Sequence, residues 1–365
     1  MFNSLLTKPS TRFVAAALVA LLTILPVRAE KRLIEFGWDE PNTRFLRDHI
    51  SEMEQTPFDG CVFSVLAKNA NGTDAKFTSE CWGRRKFTEA ELKPALDDLK
   101  ATHFKRFKDC FLRFNVTPGD VDWFDDFSAI TSNAQLAAKL ARDGGAKGIL
   151  LDVEPYAAPL FNYEKMRDAK TKPFDAYAAQ ARKRGQQIME AFQKSYPDVK
   201  IFLTFGFTLP QAQVDINPTG LPHIQYGLLP ALLNGMLDAA KGKAKIIDGF
   251  EMSYGYKDKV QFDDVPKIRQ RSMKLVANRG KYDKYYAFGF GLWMDMNSQK
   301  YGWNTKDVGK NYFTPEQFEK SVRTALERSD EYVWIYTEAP KWWSPKGKQD
   351  LPAEYDTALR RAKNQ

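Results

Sequence analysis

The chain has 365 residues, with 54 Lys and Arg against 46 Asp and Glu, three Cys, three His and 43% hydrophobic residues. Basic and acidic residues are interspersed rather than gathered in blocks, so the formal charge of +8 does not indicate nucleic-acid binding. His49, His103 and His223 are not spaced as ligand pairs, which argues against a metal-dependent enzyme, and we predict no cofactor.

The N-terminal segment is typical of a secretory signal peptide. Lys8 and Arg12 precede the apolar run VAAALVALLTILPV, which leads to the small residue Ala29. This run is too short to span a bilayer comfortably, and no later stretch approaches the ~20 apolar residues that a membrane helix needs. We expect residues 1–29 to be removed, leaving a secreted or periplasmic protein of residues 30–365 without a membrane span.

From residue 32 onward, short apolar runs rich in Val, Ile, Phe and Tyr alternate with segments of helical spacing. The predicted strands cover residues 33–38, 61–66, 110–115, 148–154, 200–205, 248–254, 285–293 and 332–338. The predicted helices include 43–54, 133–143, 174–195, 228–241, 265–278 and 354–363, and capping patterns at Thr88 with Glu91 and at Thr314 with Gln317 mark two more. Eight strand–helix rounds predict a single-domain (β/α)8 TIM barrel.

The main structural alternative is a doubly wound open sheet, which would carry a glycine-rich phosphate loop after an early strand. Gly289 and Gly291 in FGFGLW come late and lack the third glycine. We expect them instead to relieve crowding inside a barrel.

The three cysteines leave two states open. Cys61 and Cys110 lie near the starts of apolar strands, which favours buried free thiols. A single disulfide involving Cys81 is the alternative.

Acidic residues follow most of the predicted strands, whose C-terminal ends share one mouth in a barrel. They are Asp39, Glu40, Asp152, Glu154, Glu251, Asp295 and Glu338. In GILLDVEPY, Asp152 and Glu154 are two residues apart and therefore point to the same side of the strand. Because close carboxylates disfavour joint ionisation, one pKa rises, and we predict Glu154 as general acid with Asp152 tuning it.

Asp152, Glu154 and Tyr156 resemble the fourth-strand motif of family 18 chitinase-like glycoside hydrolases, which reads Asp, any residue, Glu, commonly followed by an aromatic. Met252 and Tyr254 in FEMSYGY resemble that family's Met, any residue, Tyr element, and Trp334 in YVWIYTE is similar to its eighth-strand Trp. Leu150 and Gly255 stand where the family carries aspartates. The resemblance implies a carbohydrate-active barrel, while these two departures argue against the family's substrate-assisted mechanism.

Glycoside hydrolysis generally needs a second carboxylate, about 5–5.5 Å from the acid for retention or about 6.5–9.5 Å for inversion. Glu338 ends the strand opposite strand four and is the preferred partner. Glu251 is the other candidate, but in a strand it would point away from Met252 and Tyr254. The stereochemical outcome is left open.

Aromatic residues at strand ends strengthen the carbohydrate interpretation, since sugar rings stack on indole. The predicted substrate-binding residues are Trp38, Asp39, Glu40, Tyr156, Tyr254, Trp293, Asp295 and Trp342. The sequence thus predicts an exported glycoside hydrolase whose partner is a carbohydrate. The alternative is a non-catalytic carbohydrate-binding envelope protein on the same barrel. Sugar, linkage and oligomeric state are not predicted.

Overall fold

The computed structural model describes residues 30–116, 120–154 and 156–364, and the predicted signal peptide lies outside the described residues. Eight parallel strands form a ring in chain order. They are β1 (Arg32–Glu35), β2 (Gly60–Phe63), β3 (Phe111–Asn115), β4 (Gly148–Asp152), β5 (Lys200–Leu203), β6 (Lys245–Asp248), β7 (Tyr286–Phe288 and Phe290–Trp293) and β8 (Tyr332–Tyr336). Because β8 pairs with β1, the sheet closes and the predicted (β/α)8 TIM barrel is confirmed.

The ring is continuous through Gly289, which separates the two segments of β7. The first segment pairs with β6 and the second with β8. A Cβ atom at Gly289 would lie 2.7 Å from the carbonyl oxygen of Tyr332, and one at Gly291 would lie 2.7 Å from the Trp334 ring. Both glycines therefore relieve crowding, as the sequence predicted.

Helices surround the ring and fill several of the loops. They are α1 (Thr43–Met53), α2 (Phe77–Glu80), α3 (Glu89–Ala101), α4 (Ser128–Asp143), α5 (Phe174–Ser195), α6 (Thr208–Ile216), α7 (Leu229–Ala239), α8 (Lys259–Asp263), α9 (Val265–Ser272), α10 (Arg279–Tyr285), α11 (Ser298–Tyr301), α12 (Pro315–Arg328) and α13 (Ala353–Lys363). The predicted capping boxes open α3 and α12. Over the described ranges, no helix has both the length and the apolar character to cross a bilayer.

The strands alternate between lumen and helix layer, as period-2 geometry requires. The lumen is filled by a cluster separate from the outer core, composed of Ile34, Phe36, Val62, Phe111, Leu150, Phe202, Ile247, Tyr332 and Trp334. Beneath it, the Tyr332 hydroxyl donates to Asp109 Oδ1 at 2.7 Å, and Lys200 pairs with Glu331. Above this packed cluster, the C-terminal ends of the strands face solvent. We call this end of the barrel the mouth.

The sixth strand was predicted wrongly, as residues 248–254. It covers Lys245–Asp248, and after it Phe250 adopts a left-handed conformation with φ of 47°. Residues Glu251–Ser253 then form a 3-10 turn. The alternating pattern in FEMSYGY therefore reflects a turn whose Phe250 ring packs against Phe288 and Phe290, and strand parity does not apply to Glu251.

All three cysteines are free and buried, which confirms the favoured state of the thiols. Cys61 follows Gly60 in β2, and Cys110 directly precedes β3. Burial raises the pKa of the Cys61 thiol, and its neighbour Cys110 raises it further. The fold therefore does not depend on a cross-link.

Candidate active site

The end of β4 brings Asp152 and Glu154 together at the mouth. Since Leu150 faces the lumen, Asp152 two residues later does so too. Asp152 is fully buried, and its Oδ2 accepts hydrogen bonds from Arg113 Nη1 at 3.3 Å and Asn115 Nδ2 at 3.5 Å. Its Oδ1 accepts the Glu154 backbone N–H at 3.2 Å, which links the two acids at the end of β4.

Arg113 supplies a positive charge to this group of acids. Its Nε and Nη2 each lie 2.8 Å from an oxygen of Glu40, a two-point ion pair that leaves Nη1 for Asp152. Arg113 was missed by the sequence analysis. The signal was available, because Arg113 and Asn115 share the strand face of the lumen residue Phe111.

Glu154 is poised for proton transfer. Burial raises its pKa to about 7, and the charge of Asp152 adds to the rise, while a hydrogen bond from Tyr156 and the charge of Arg113 oppose it. A carboxyl with this pKa is present in both protonation states at neutral pH. Tyr156 lies at the rim, with 60% of its surface exposed.

Glu251 is the second carboxyl that interacts with Glu154. Its N–H donates to the Thr204 carbonyl at 3.2 Å, which ties the 3-10 turn to the end of β5. Burial raises the pKa of Glu251 well above its usual range, followed by the negative charges of Glu154 and Asp152. Its Oε2 is buried without a hydrogen-bond partner among the described residues.

Glu338 has different neighbours. Its Oε1 accepts the Tyr336 hydroxyl at 3.2 Å, and its N–H donates to Asp295 Oδ1 at 3.0 Å. Burial raises the pKa of Glu338, with Asp295 adding to the rise and Tyr336 and Lys341 opposing it. The structure thus groups Glu154 with Glu251, whereas the sequence ranked Glu338 as the preferred partner.

Aromatic rings form one wall of the mouth. The Tyr254 ring stacks on Tyr336, with 5.4 Å between centroids and 15° between planes, and meets Trp293 edge-on at 5.8 Å. Trp38 Nε1 donates to the Tyr336 hydroxyl at 2.7 Å, yet 61% of the Trp38 surface remains exposed. An oriented, exposed indole beside buried acids is a suitable surface for a sugar ring.

Three predicted binding residues make structural contacts. Trp342 is only 1% exposed and packs edge-on against Phe58 at 4.9 Å. Asp39 Oδ2 accepts the Trp342 backbone N–H at 2.6 Å. Asp295, 2% exposed, accepts the N–H groups of Glu338 and Ala339. The chain after β8 folds back onto the barrel, and the two carboxylates satisfy its backbone amides, while the binding role of these three residues stays a prediction.

Two more residues were missed. Tyr226, from the loop between α6 and α7, lies close enough for its pKa to be raised, after burial, by Glu154 and Glu251. Nothing in its sequence context marked it. Glu35 in β1 is fully buried, and its two carboxyl oxygens have no hydrogen-bond partner among the described residues; burial, followed by the charge of Asp39, raises its pKa well above the usual range. Within the described residues, no group of three or more His, Cys, Asp or Glu has an arrangement that could hold a metal ion.

Comparisons with known proteins bear on the fold alone. No family model and no curated protein sequence matches the chain. Among solved structures, PbGH5A, a glycoside hydrolase family 5 enzyme from Prevotella bryantii B14, is similar at 10% identity with a TM-score of 0.49, over 90% of this chain and 88% of that one. A psychrophilic glycoside hydrolase family 10 endo-β-1,4-xylanase is similar at 11% identity with a TM-score of 0.46, over 92% of this chain and 97% of that one. A putative chitinase A from Streptomyces coelicolor is similar at 12% identity with a TM-score of 0.41, over 91% of this chain and 98% of that one.

Proposed function

We propose that this protein is a glycoside hydrolase in which Glu154 and Glu251 are the catalytic carboxyls and Asp152 tunes them. The observation that carries the proposal is the pKa of Glu154, raised to about 7 by burial and by Asp152, in a mouth lined by aromatic rings. A proton donor beside a second carboxyl is what cleavage of a glycosidic bond requires.

The two glutamates divide the chemistry. Because burial and mutual repulsion oppose double ionisation, the pair holds a shared proton near neutral pH and titrates as a unit. We assign proton donation to the leaving oxygen to Glu154, the less buried of the two. In the form of the pair in which Glu154 carries the shared proton, Glu251 is ionised and acts as the carboxylate that faces the developing positive charge of the sugar, as nucleophile or as base.

Substrate is held by the rim. Trp38, Tyr156, Tyr254 and Trp293 offer ring faces or edges at the mouth, and Glu40 presents Arg113 beside Asp152. Flat apolar faces combined with convergent charged groups match the alternating C–H and hydroxyl surfaces of a sugar.

The test is hydrolysis by the purified protein of residues 30–365 across a panel of polysaccharides and aryl glycosides. Glu154→Gln keeps the side-chain volume and removes the proton donor, so we expect turnover to fall by about 10²–10⁴-fold. Folding, followed by circular dichroism, and glycan binding are expected to persist. Full activity in this variant would end the proposal, and glycan binding by a wild-type protein that cleaves nothing would favour the non-catalytic alternative.

We also propose that the protein is exported. Support comes from the first 29 residues, in which basic residues precede an apolar run and a small residue. N-terminal sequencing of protein recovered from the periplasm or medium should begin just after Ala29. Recovery of the full-length chain in the cytoplasm would contradict export without touching the catalytic proposal.

A further inference from the structure

Asp248, the last residue of β6, is a buried carboxylate outside the mouth. Its side chain points to the helix layer, since its neighbour Ile247 faces the lumen. Asp248 Oδ1 accepts the backbone N–H groups of Gly206 and Phe250, each at 3.0 Å. Its Oδ2 accepts the hydroxyls of Tyr286 at 3.1 Å and Thr208 at 3.3 Å. One side chain thus joins the chain segments that follow β5 and β6.

This junction is built at close range. A Cβ atom at Gly206 would lie 2.7 Å from Asp248 Oδ2 and 1.8 Å from the Tyr286 hydroxyl. Only glycine lets the backbone after β5 approach the carboxylate this closely. The contact therefore depends on the sequence at both ends.

The junction determines the direction of the chain at Glu251. Phe250, whose N–H is held by Asp248, is left-handed, a strained conformation for a bulky residue that persists only where surrounding contacts enforce it. That turn brings the next residue, Glu251, to the Thr204 carbonyl. On the far side, the Ser253 hydroxyl lies 2.7 Å from the Phe250 carbonyl and 2.8 Å from that of Gly291.

We propose that Asp248 is a positioning residue for Glu251. By fixing the amides of Gly206 and Phe250, its carboxylate holds the left-handed turn that directs the Glu251 side chain into the mouth, next to Glu154. Asp248 itself is fully buried. Its part in catalysis rests on the proposed function, in which Glu251 is the second carboxyl.

The test is a titration of the Glu251 carboxyl by NMR in protein labelled with ¹³C at glutamate carboxyls, its signal identified by loss in Glu251→Gln. In the wild type we expect the pKa of Glu251 well above its usual range. In Asp248→Asn a neutral amide oxygen holds the N–H groups of Gly206 and Phe250 more weakly than the carboxylate does, and the NH2 group cannot accept from the two hydroxyls. The turn then relaxes and the Glu251 carboxyl gains water. Its pKa should then fall by about one pH unit or more.

Asp295→Asn is the matched control, because Asp295 is also buried and also accepts two loop amides, those of Glu338 and Ala339. It should leave the titration of Glu251 unchanged. An unchanged Glu251 pKa in Asp248→Asn, or an equal shift in Asp295→Asn, would overturn the positioning role, because general loosening would then explain the data. If Asp248→Asn does not fold, Asp248→Ser takes its place, because a serine hydroxyl is too short to accept from both amides; a downward shift supports the role and no shift refutes it.

The same variants separate this inference from the proposed function. Absence of hydrolysis in the wild type together with a downward shift in Asp248→Asn would defeat the hydrolase and leave the positioning role standing. Hydrolysis without that shift would do the reverse.

Discussion

At the scale of single residues, the mouth brings Asp152, Glu154 and Glu251 near the guanidinium of Arg113. Glu40 already neutralises Arg113 through two short contacts, so the charge left for Asp152 is shared. Asp152, Glu154 and Glu251 consequently compete for protons in a buried setting, and burial is the leading cause of the rise in pKa of each. Proton sharing of this kind is how carboxyls acquire acid and base roles near neutral pH.

The identity of the second carboxyl gives a prediction at this scale. Glu251→Gln removes the group that interacts with Glu154, and we expect kcat to fall by about 10²-fold or more. Glu338→Gln alters a group bonded to Tyr336 instead, and we expect a change below about 10-fold. Steady-state kinetics of both variants on one substrate provide the measurement. A larger loss in Glu338→Gln would restore the pairing preferred from the sequence.

Sequence reasoning succeeded for residues whose direction follows from strand parity and failed where it depends on a loop. Asp152 lies where its spacing from Leu150 places it. Trp342 also follows a strand, yet its indole is buried because the chain turns back and packs it on Phe58. Whether a residue after a strand faces solvent or core is set by tertiary contacts that no local pattern encodes.

At the scale of elements, the ends of the strands carry most of the disagreement between prediction and structure. The apolar residues of 248–254 alternate as a strand would, but Asp248 accepts the Phe250 amide and stops the ladder. The predicted helix 265–278 is likewise divided, with α9 ending at Ser272 and a 3-10 turn following it. Hydrogen bonds from distant elements decide these boundaries, whereas α3 and α12 began as predicted because their caps are local.

The interruption of β7 gives a prediction at this scale. In Gly289→Ala the new methyl would meet the Tyr332 carbonyl at 2.7 Å, and the two strands would have to separate. We expect the free energy of unfolding to fall by about 1–3 kcal/mol. Gly280→Ala in α10 is the control, since its nearest contact is 3.6 Å away and alanine favours helix. Urea denaturation curves of the two variants test the difference, and equal midpoints would contradict it.

At the scale of the whole molecule, the fold was predictable because segments with strand periodicity alternate with segments of helical periodicity eight times along the chain. The strands β3, β4, β5 and β8 lie within or close to their predicted ranges. Closure of the barrel could be inferred from the number of strand–helix rounds. The interruption of β7 at Gly289 could not, because the sequence indicated only that this glycine relieves crowding.

Buried acids with raised pKa values should make the pH dependence of stability unusual. A carboxyl whose pKa is higher in the folded than in the unfolded protein contributes stability that is complete below about pH 4 and is lost as the pH rises through the folded pKa. The stabilising contribution of Asp248 is lost as the pH rises through its folded pKa of about 6, and that of Glu154 as the pH rises through about 7. The contribution of Glu35 is lost as the pH rises through a folded pKa well above the usual range of a glutamate. We expect Tm to fall from pH 5 to pH 8 at constant ionic strength.

Glu35→Gln tests the origin of this slope, because it removes one titrating group while keeping its volume in the same buried position. Calorimetric scans should show a shallower decline of Tm with pH than in the wild type. Parallel curves for the two proteins, or a wild-type Tm that climbs toward pH 8, would count against the assignment.

Side chains fill the barrel beneath Asp152, and the hydrogen bond between Tyr332 and Asp109 lies at its base, so the barrel is not an open channel. Under the proposed function, the glycan, the attacking water and both products would enter and leave through the mouth. In a hydrolase of this shape, a product that is still bound would block the next substrate molecule. Accumulated product should therefore compete with fresh glycan for the same entrance.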